Sequence, residues 1–259
     1  MKKLFLHIGS HKTGSTSLQN YLFDHEEHLH KNGFALYKGL HQERNHIELY
    51  LASMRYDRDT FAKQRMTHIV LDEQYTDKIA QRVQDFISSC NESNIILTTE
   101  GLSLLRHQDE IDRLLRILDC DDVEITVILY LRNKEDYLKS YTQQLIKKKG
   151  RMRSRDYWSA LYVERDTWLL DYETLISIYK QSFGESRVVV IDYDKEMNVV
   201  GNAIPSFLGV IGINSENEQD ISSYFYNRTL SKNSILQRLM SIAHIRTSKV
   251  KRKSDLAQK

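Results

Sequence analysis

Lys3-Leu4-Phe5-Leu6-His7-Ile8, then Gly9-Ser10-His11-Lys12-Thr13-Gly14-Ser15-Thr16-Ser17, then Leu18, Tyr21 and Leu22 at helical spacing: this stretch decides how the chain is read. The apolar run predicts a buried strand. A strand, a tight loop rich in Gly, Ser and Thr, and a helix make a phosphate cradle. The first amides of a helix lack intrahelical partners and carry the positive end of its dipole. Gly9 and Gly14 let the backbone close round an anion. The commonest phosphate loop, G-x-x-x-x-G-K-[ST], is almost matched. Gly9 and Gly14 stand at its separation, but Ser15 takes the lysine position and the lysine has moved to Lys12, inside the loop. Ser15, Thr16 and Ser17 then offer hydroxyls to phosphate oxygens.

Working outward, the spacing predicts helices over 15–31, 43–54, 72–90, 109–118, 133–149, 156–183, 197–211 and 231–245. It predicts strands over 34–37, 94–99, 124–131 and 187–193. Asn32-Gly33 and Gly184 are helix stops. Glu124 to Leu131 is nearly continuous apolar sequence, which suits a parallel strand covered on both faces. Alternating strands and helices predict an α/β fold: a single domain with a central parallel sheet of about five strands, helices on both faces and a P-loop-like phosphate cradle after the first strand. This domain is expected over 1–247, with a polar, basic tail over 248–259 that frays. Ligands of such sheets bind beyond the carboxyl ends of the strands. Lys12, Glu100 and Arg132 each follow a strand and therefore share one rim.

With 37 basic against 35 acidic residues in 259, the net charge of +2 is no nucleic-acid profile, so any anion site is local. Cys90 and Cys120 form no C-x-x-C pattern, which suits reduced thiols and no structural zinc. No stretch approaches the ~20 apolar residues of a membrane span. The opening Met-Lys-Lys-Leu-Phe-Leu is cut short as a signal peptide by His7 and Gly9. A cytoplasmic protein is expected.

Arg132 and Ser140 lie eight residues apart. On a helix begun at Asn133, Ser140 stands roughly 10 Å up, on the face of the helix start. A guanidinium at a strand end and a hydroxyl up the next helix can hold a second phosphate, distant from the loop. Either this pairing or an ordinary ion pair of Arg132 with Glu135 or Asp136 is open from the residues alone.

The loop Lys12-Thr13-Gly14-Ser15-Thr16-Ser17 resembles the 5′-phosphosulfate loop of sulfotransferases that use 3′-phosphoadenosine 5′-phosphosulfate (PAPS). Leu131-Arg132-Asn133 through Ser140-Tyr141 resembles their 3′-phosphate motif. The opening His7 to Gln19, and Leu170-Asp171-Tyr172 leading into Phe183-Gly184-Glu185, look like the bacterial branch. The resemblance implies sulfuryl transfer from the nucleotide donor to a hydroxyl or amine of a carbohydrate, such as a glycan precursor, or of another small acceptor, with no metal required. Lys12 would stabilise the leaving phosphate. Thr13, Gly14, Ser15, Thr16 and Ser17 would bind the 5′-phosphate, and Arg132 with Ser140 the 3′-phosphate. Glu100 would be the general base, as a glutamate is in polysaccharide-directed members. The Arg-Lys-Gly word that closes over the nucleotide in cytosolic members is absent; Asn227 to Lys232 would take its place. His11, within the loop, and His46 are candidate acceptor contacts. His25, His28 and His30 read as a solvated helix end rather than a metal site. Two other readings stand beside this one. One is a P-loop kinase or NTPase, with magnesium held near Thr98-Thr99-Glu100. The other is a non-catalytic nucleotide-binding protein.

Overall fold

Five parallel strands form the centre of the computed structural model, which describes residues 1–147, 154–214, 221, 223 and 224. They are β1 (Lys2–His7), β2 (Phe34–Leu36), β3 (Asn94–Thr98), β4 (Val123–Leu131) and β5 (Val188–Asp192), in the order β2-β3-β1-β4-β5. The helices between them are α1 (Ser15–Asp24), α2 (Glu26–Lys31), α3 (Ile47–Ser53), α4 (Phe61–Arg65), α5 (Glu73–Ser89), α6 (Gln108–Ile117), α7 (Lys134–Lys147), α8 (Tyr172–Phe183), α9 (Tyr193–Val199) and α10 (Ile204–Ile211). The α/β unit ends at Tyr224. The expected 231–245 helix, the Asn227 to Lys232 segment and the basic tail lie outside the described residues.

Alternation along the strands divides the core in two. Leu4, Leu6, Ile95, Leu97, Val127 and Leu129 face α3, α5, α6 and α8. Phe5, Ile96, Ile128 and Tyr130 face α1, α2 and α10. Both faces are covered, which is why these strands read as unbroken apolar runs. The Tyr130 hydroxyl donates to the Ala203 carbonyl at 2.9 Å and so ties α10 to β4. The strand order reverses about β1, whose neighbours are β3 and β4. The segments after these three strands therefore emerge side by side at one rim, where such sheets bind ligands. No helix among the described residues is long and apolar enough to cross a membrane.

Several expected boundaries shift. The helix over 15–31 breaks at His25, whose ring stacks on Tyr21 at 4.1 Å and meets the Tyr21 carbonyl at 2.9 Å. Helix α4 was not expected from the sequence; Thr60 caps it, accepting from the Lys63 amide. The expected 197–211 helix is two helices, parted where Gly201 takes φ 77° and the Asn202 side chain accepts from the Ile204 amide. The largest correction is at 156–183. Only α8 is α-helical there; a short 3-10 turn, Trp168–Leu170, precedes it, and 154–167 is irregular. Polar side chains capture backbone amides along that stretch: Asp156 accepts from Trp158, and Ser159 from Leu161, both at 3.1 Å. Such local bonds compete with a helix, and Ala160, Leu161 and Trp168 turn into the core instead.

Candidate active site

The loop after β1 stays stitched to β4: the Ile8 and Ser10 amides donate to Ile128 and Tyr130. Gly9 is required here, because a Cβ would lie 2.6 Å from Nε2 of the buried His7. The chain then turns through two left-handed residues, Lys12 (φ 71°) and Gly14 (φ 79°). For a lysine this conformation is strained by roughly 1–3 kcal/mol, and such strain gathers at functional sites. The Thr13 hydroxyl donates to the Ser10 carbonyl at 2.6 Å and closes the loop. Gly14 starts α1 with no side-chain cap. Among the described residues, no carbonyl accepts from the amides of Thr13, Gly14, Ser15 or Thr16, and the buried hydroxyls of Ser10 and Ser15 have no partner. Buried polar atoms left in this state cost free energy unless a ligand completes them. The cradle thus fits an anion.

Arg132 ends β4 beside this loop. Its guanidinium donates to the Lys12 carbonyl at 3.2 Å, lies 3.7 Å from the Asp194 carboxylate, and sits 5.6 Å from the centre of the Tyr193 ring. Its ion pair is with Asp194 on α9, not with Glu135 or Asp136. Asp194 also accepts from the Asn133 amide at 2.5 Å, and Tyr172 donates to the Arg132 carbonyl at 2.9 Å. The Tyr193 ring borders Gly14, 3.4 Å from where a Cβ would stand. Neither Tyr193 nor Asp194 was singled out by the sequence; the expected strand ran through Tyr193, whereas the observed one stops at Asp192 and leaves both residues at its carboxyl end. Asn133 caps α7, its side chain accepting from Glu135 and Asp136. Half-buried Ser140 is one turn from Gln144 on the same helix.

Gln144 lines a cavity of about 350 Å³ that meets the loop at His11 and is shared with Asn45, Thr99, Glu100 and Tyr141. The His11 ring stacks on Tyr141 at 5.3 Å. Glu100 opens a 3-10 turn (Glu100–Leu104) directly after β3, and one carboxylate oxygen accepts from Gln19 at 3.0 Å and Asn45 at 3.2 Å. Gln19, from α1, and Asn45 were missed; polar residues inside helical or loop sequence carry no local signal of a distant partner.

His46 is not an acceptor contact in this arrangement. It is 0 % exposed and does not line the cavity. Its Nδ1 accepts from the Thr98 amide at 2.9 Å, which places its proton on Nε2. His7 meets the Thr98 side chain through Nδ1 at 2.8 Å. Burial lowers both imidazoles from 6.5 to about 3. Both are neutral in the folded state and protonate in the unfolded state once pH falls below 6.5. Stability is therefore full above pH 6.5 and declines toward pH 3, by up to about 1.4 kcal/mol per pH unit for each histidine. Urea melts at pH 7, 6 and 5 test this: an unchanged free energy between pH 6 and 5 would refute it.

No family model matches the chain, and no curated protein is significantly similar to it. Solved structures are. A sulfotransferase from Alicyclobacillus acidocaldarius superposes with a TM-score of 0.50 at 16 % identity, over 86 % of this chain and 89 % of that one. The sulfotransferase domain from the curacin biosynthetic pathway gives 0.47 at 11 %, over 88 % and 79 %. Mouse sulfotransferase SULT7A1 complexed with PAP gives 0.41 at 11 %, over 86 % and 63 %. The first of these shows the fold: a single α/β domain built like a sulfotransferase, around a P-loop-like cradle. The fold is thus the one that the two sequence motifs resemble.

Proposed function

We propose that the protein transfers a sulfuryl group from PAPS to an acceptor hydroxyl or amine of a carbohydrate or other small molecule. The observation that carries this reading is the contact of Arg132 with the Lys12 carbonyl, with the Glu100 cavity opening beside the same loop. One nucleotide can then touch both phosphate-binding elements while its 5′ end faces the acceptor cavity. Residues 13–17 bind the 5′-phosphate through amides and hydroxyls. Arg132 and Ser140 take the 3′-phosphate. Glu100 accepts the proton as the acceptor O–H bond breaks and the acceptor oxygen bonds to sulfur. The sulfur–phosphate oxygen bond breaks, its electron pair staying on the phosphate, and the Lys12 ammonium meets that growing charge. Gln19 and Asn45 hold one Glu100 oxygen, which leaves the other for the acceptor.

Titration calorimetry tests the reading. Adenosine 3′,5′-bisphosphate is expected to bind without metal, and Mg-ATP not to bind. In Arg132→Ala the nucleotide binds at least tenfold more weakly, since hydrogen bonds to charged groups contribute about 1.5–3 kcal/mol. Binding of Mg-ATP alone would replace this reading with phosphoryl transfer, which leans on a bridging metal. Normal nucleotide binding with no transfer to any acceptor would favour a non-catalytic nucleotide-binding protein.

A further inference from the structure

The wall of the cavity around Glu100 holds more hydrogen-bonding capacity than the reacting hydroxyl can satisfy. Asn45 lines it and donates through its amide nitrogen to Glu100. A carboxylate only accepts, so this contact fixes which end of the amide is nitrogen. The carbonyl end, Oδ1, is buried and has no partner among the described residues. Thr99, the residue before Glu100, also lines the cavity; it is 1 % exposed, and its hydroxyl has no partner either. Strand alternation explains its direction. Thr98 points to His7 on one face of the sheet, so Thr99 points to the opposite face, where Tyr50 and the cavity lie. Two unfilled polar atoms, one of them able only to accept, flank the carboxylate.

We infer that the acceptor is polyhydroxylated, and that Asn45 and Thr99 read a second hydroxyl beside the one that is sulfated. This rests on the sulfuryl-transfer reading for the identity of the reaction, but not for the binding of the acceptor. A lone phenol or simple alcohol would give its single hydroxyl to Glu100 and leave both atoms unfilled. A sugar or polyol carries a neighbouring hydroxyl that donates to Asn45 Oδ1 and accepts from the Thr99 hydroxyl. Sites built round buried polar groups reject analogues that lack the matching hydroxyl. Asn45 and Thr99 are then specificity-determining residues, and Gln19, which donates to Glu100, is a positioning residue.

Thr99→Val keeps the side-chain shape and removes an unpaired buried hydroxyl, so it melts no lower than the wild type. That makes it the clean probe. Saturation-transfer NMR, without any nucleotide, compares the methyl glycosides of glucose, galactose and mannose with their monodeoxy counterparts and with 2-naphthol. At least one glycoside is expected to bind, with one deoxy partner about tenfold weaker. In Thr99→Val that gap closes to within twofold. Failure of all three glycosides to bind, a preference for 2-naphthol, or a gap that survives both Thr99→Val and Asn45→Ala would overturn the inference. Calorimetry with adenosine 3′,5′-bisphosphate on the same samples separates the two claims. Glycoside discrimination without nucleotide binding ends the donor reading and leaves this one standing; nucleotide binding without discrimination does the opposite.

Discussion

Lys12→Ala is expected to lose turnover by about 2.7–4 kcal/mol, two to three orders of magnitude, the usual effect of removing one donor to a developing oxyanion. Alanine is as strained as lysine at φ 71°, so the loop backbone carries the same penalty in both proteins. The difference then reports the ammonium group. Lys12→Gly provides the control: it relaxes the backbone, raises the melting temperature and leaves turnover as low as in Lys12→Ala. The Lys12 carbonyl, which receives Arg132, survives in both variants. The dissociation constant of adenosine 3′,5′-bisphosphate should therefore move less than tenfold while kcat collapses. A kcat within threefold of the wild type would remove Lys12 from the chemistry.

Glu110→Gln is expected to destabilise the fold by about 3–5 kcal/mol, because it leaves a buried cation without its counter-charge. Glu110 is 0 % exposed and grips Arg58 at 2.8 and 3.0 Å. It also accepts from the amides of Arg55, Arg106 and His107. A glutamine would turn an NH₂ toward this ring of donors. The Arg58 and Arg106 guanidinium groups lie 5.0 and 5.3 Å from the Trp168 ring centre, so indole fluorescence is a local reporter. Burial lowers the Arg106 pKa to about 10, still well above neutrality. The consequence reaches the site: Arg58 donates to the Leu104 carbonyl and Arg106 to that of Ser103, the end of the short turn that Glu100 begins. Loosening it displaces the candidate base. Chemical denaturation measures the effect; a loss under 1 kcal/mol with an unchanged m-value would show that the pair is dispensable.

How much of this was readable in advance depends on the range of the interaction. The strands at Leu4 to His7 and Ile125 to Leu131 were legible because burial on both faces demands continuous apolar sequence. The loop from Gly9 to Ser17 was legible because left-handed turns and unpaired helix amides leave marks in consecutive residues. The 156–167 segment was misread. Its Tyr, Trp, Leu and Val residues imitate a helical face, while Ser154, Asp156 and Ser159 draw the amides into turns. His46 attracted notice as a titratable residue near the expected pocket. Yet its neighbour Asn45 reaches Glu100, and no periodicity distinguishes the two.

Local chemistry along the chain was thus enough to set the α/β class, the anion cradle and the common rim of Lys12, Glu100 and Arg132. Each depends on neighbouring residues or on which end of a strand carries them. The pairing of Arg132 with Asp194, the Gln19 and Asn45 grip on Glu100, and the burial of His46 join residues 52 to 81 positions apart. Such contacts exist only after the sheet has brought separate loops together, and side chains that meet by folding leave no pattern at the spacing of a single helix or strand.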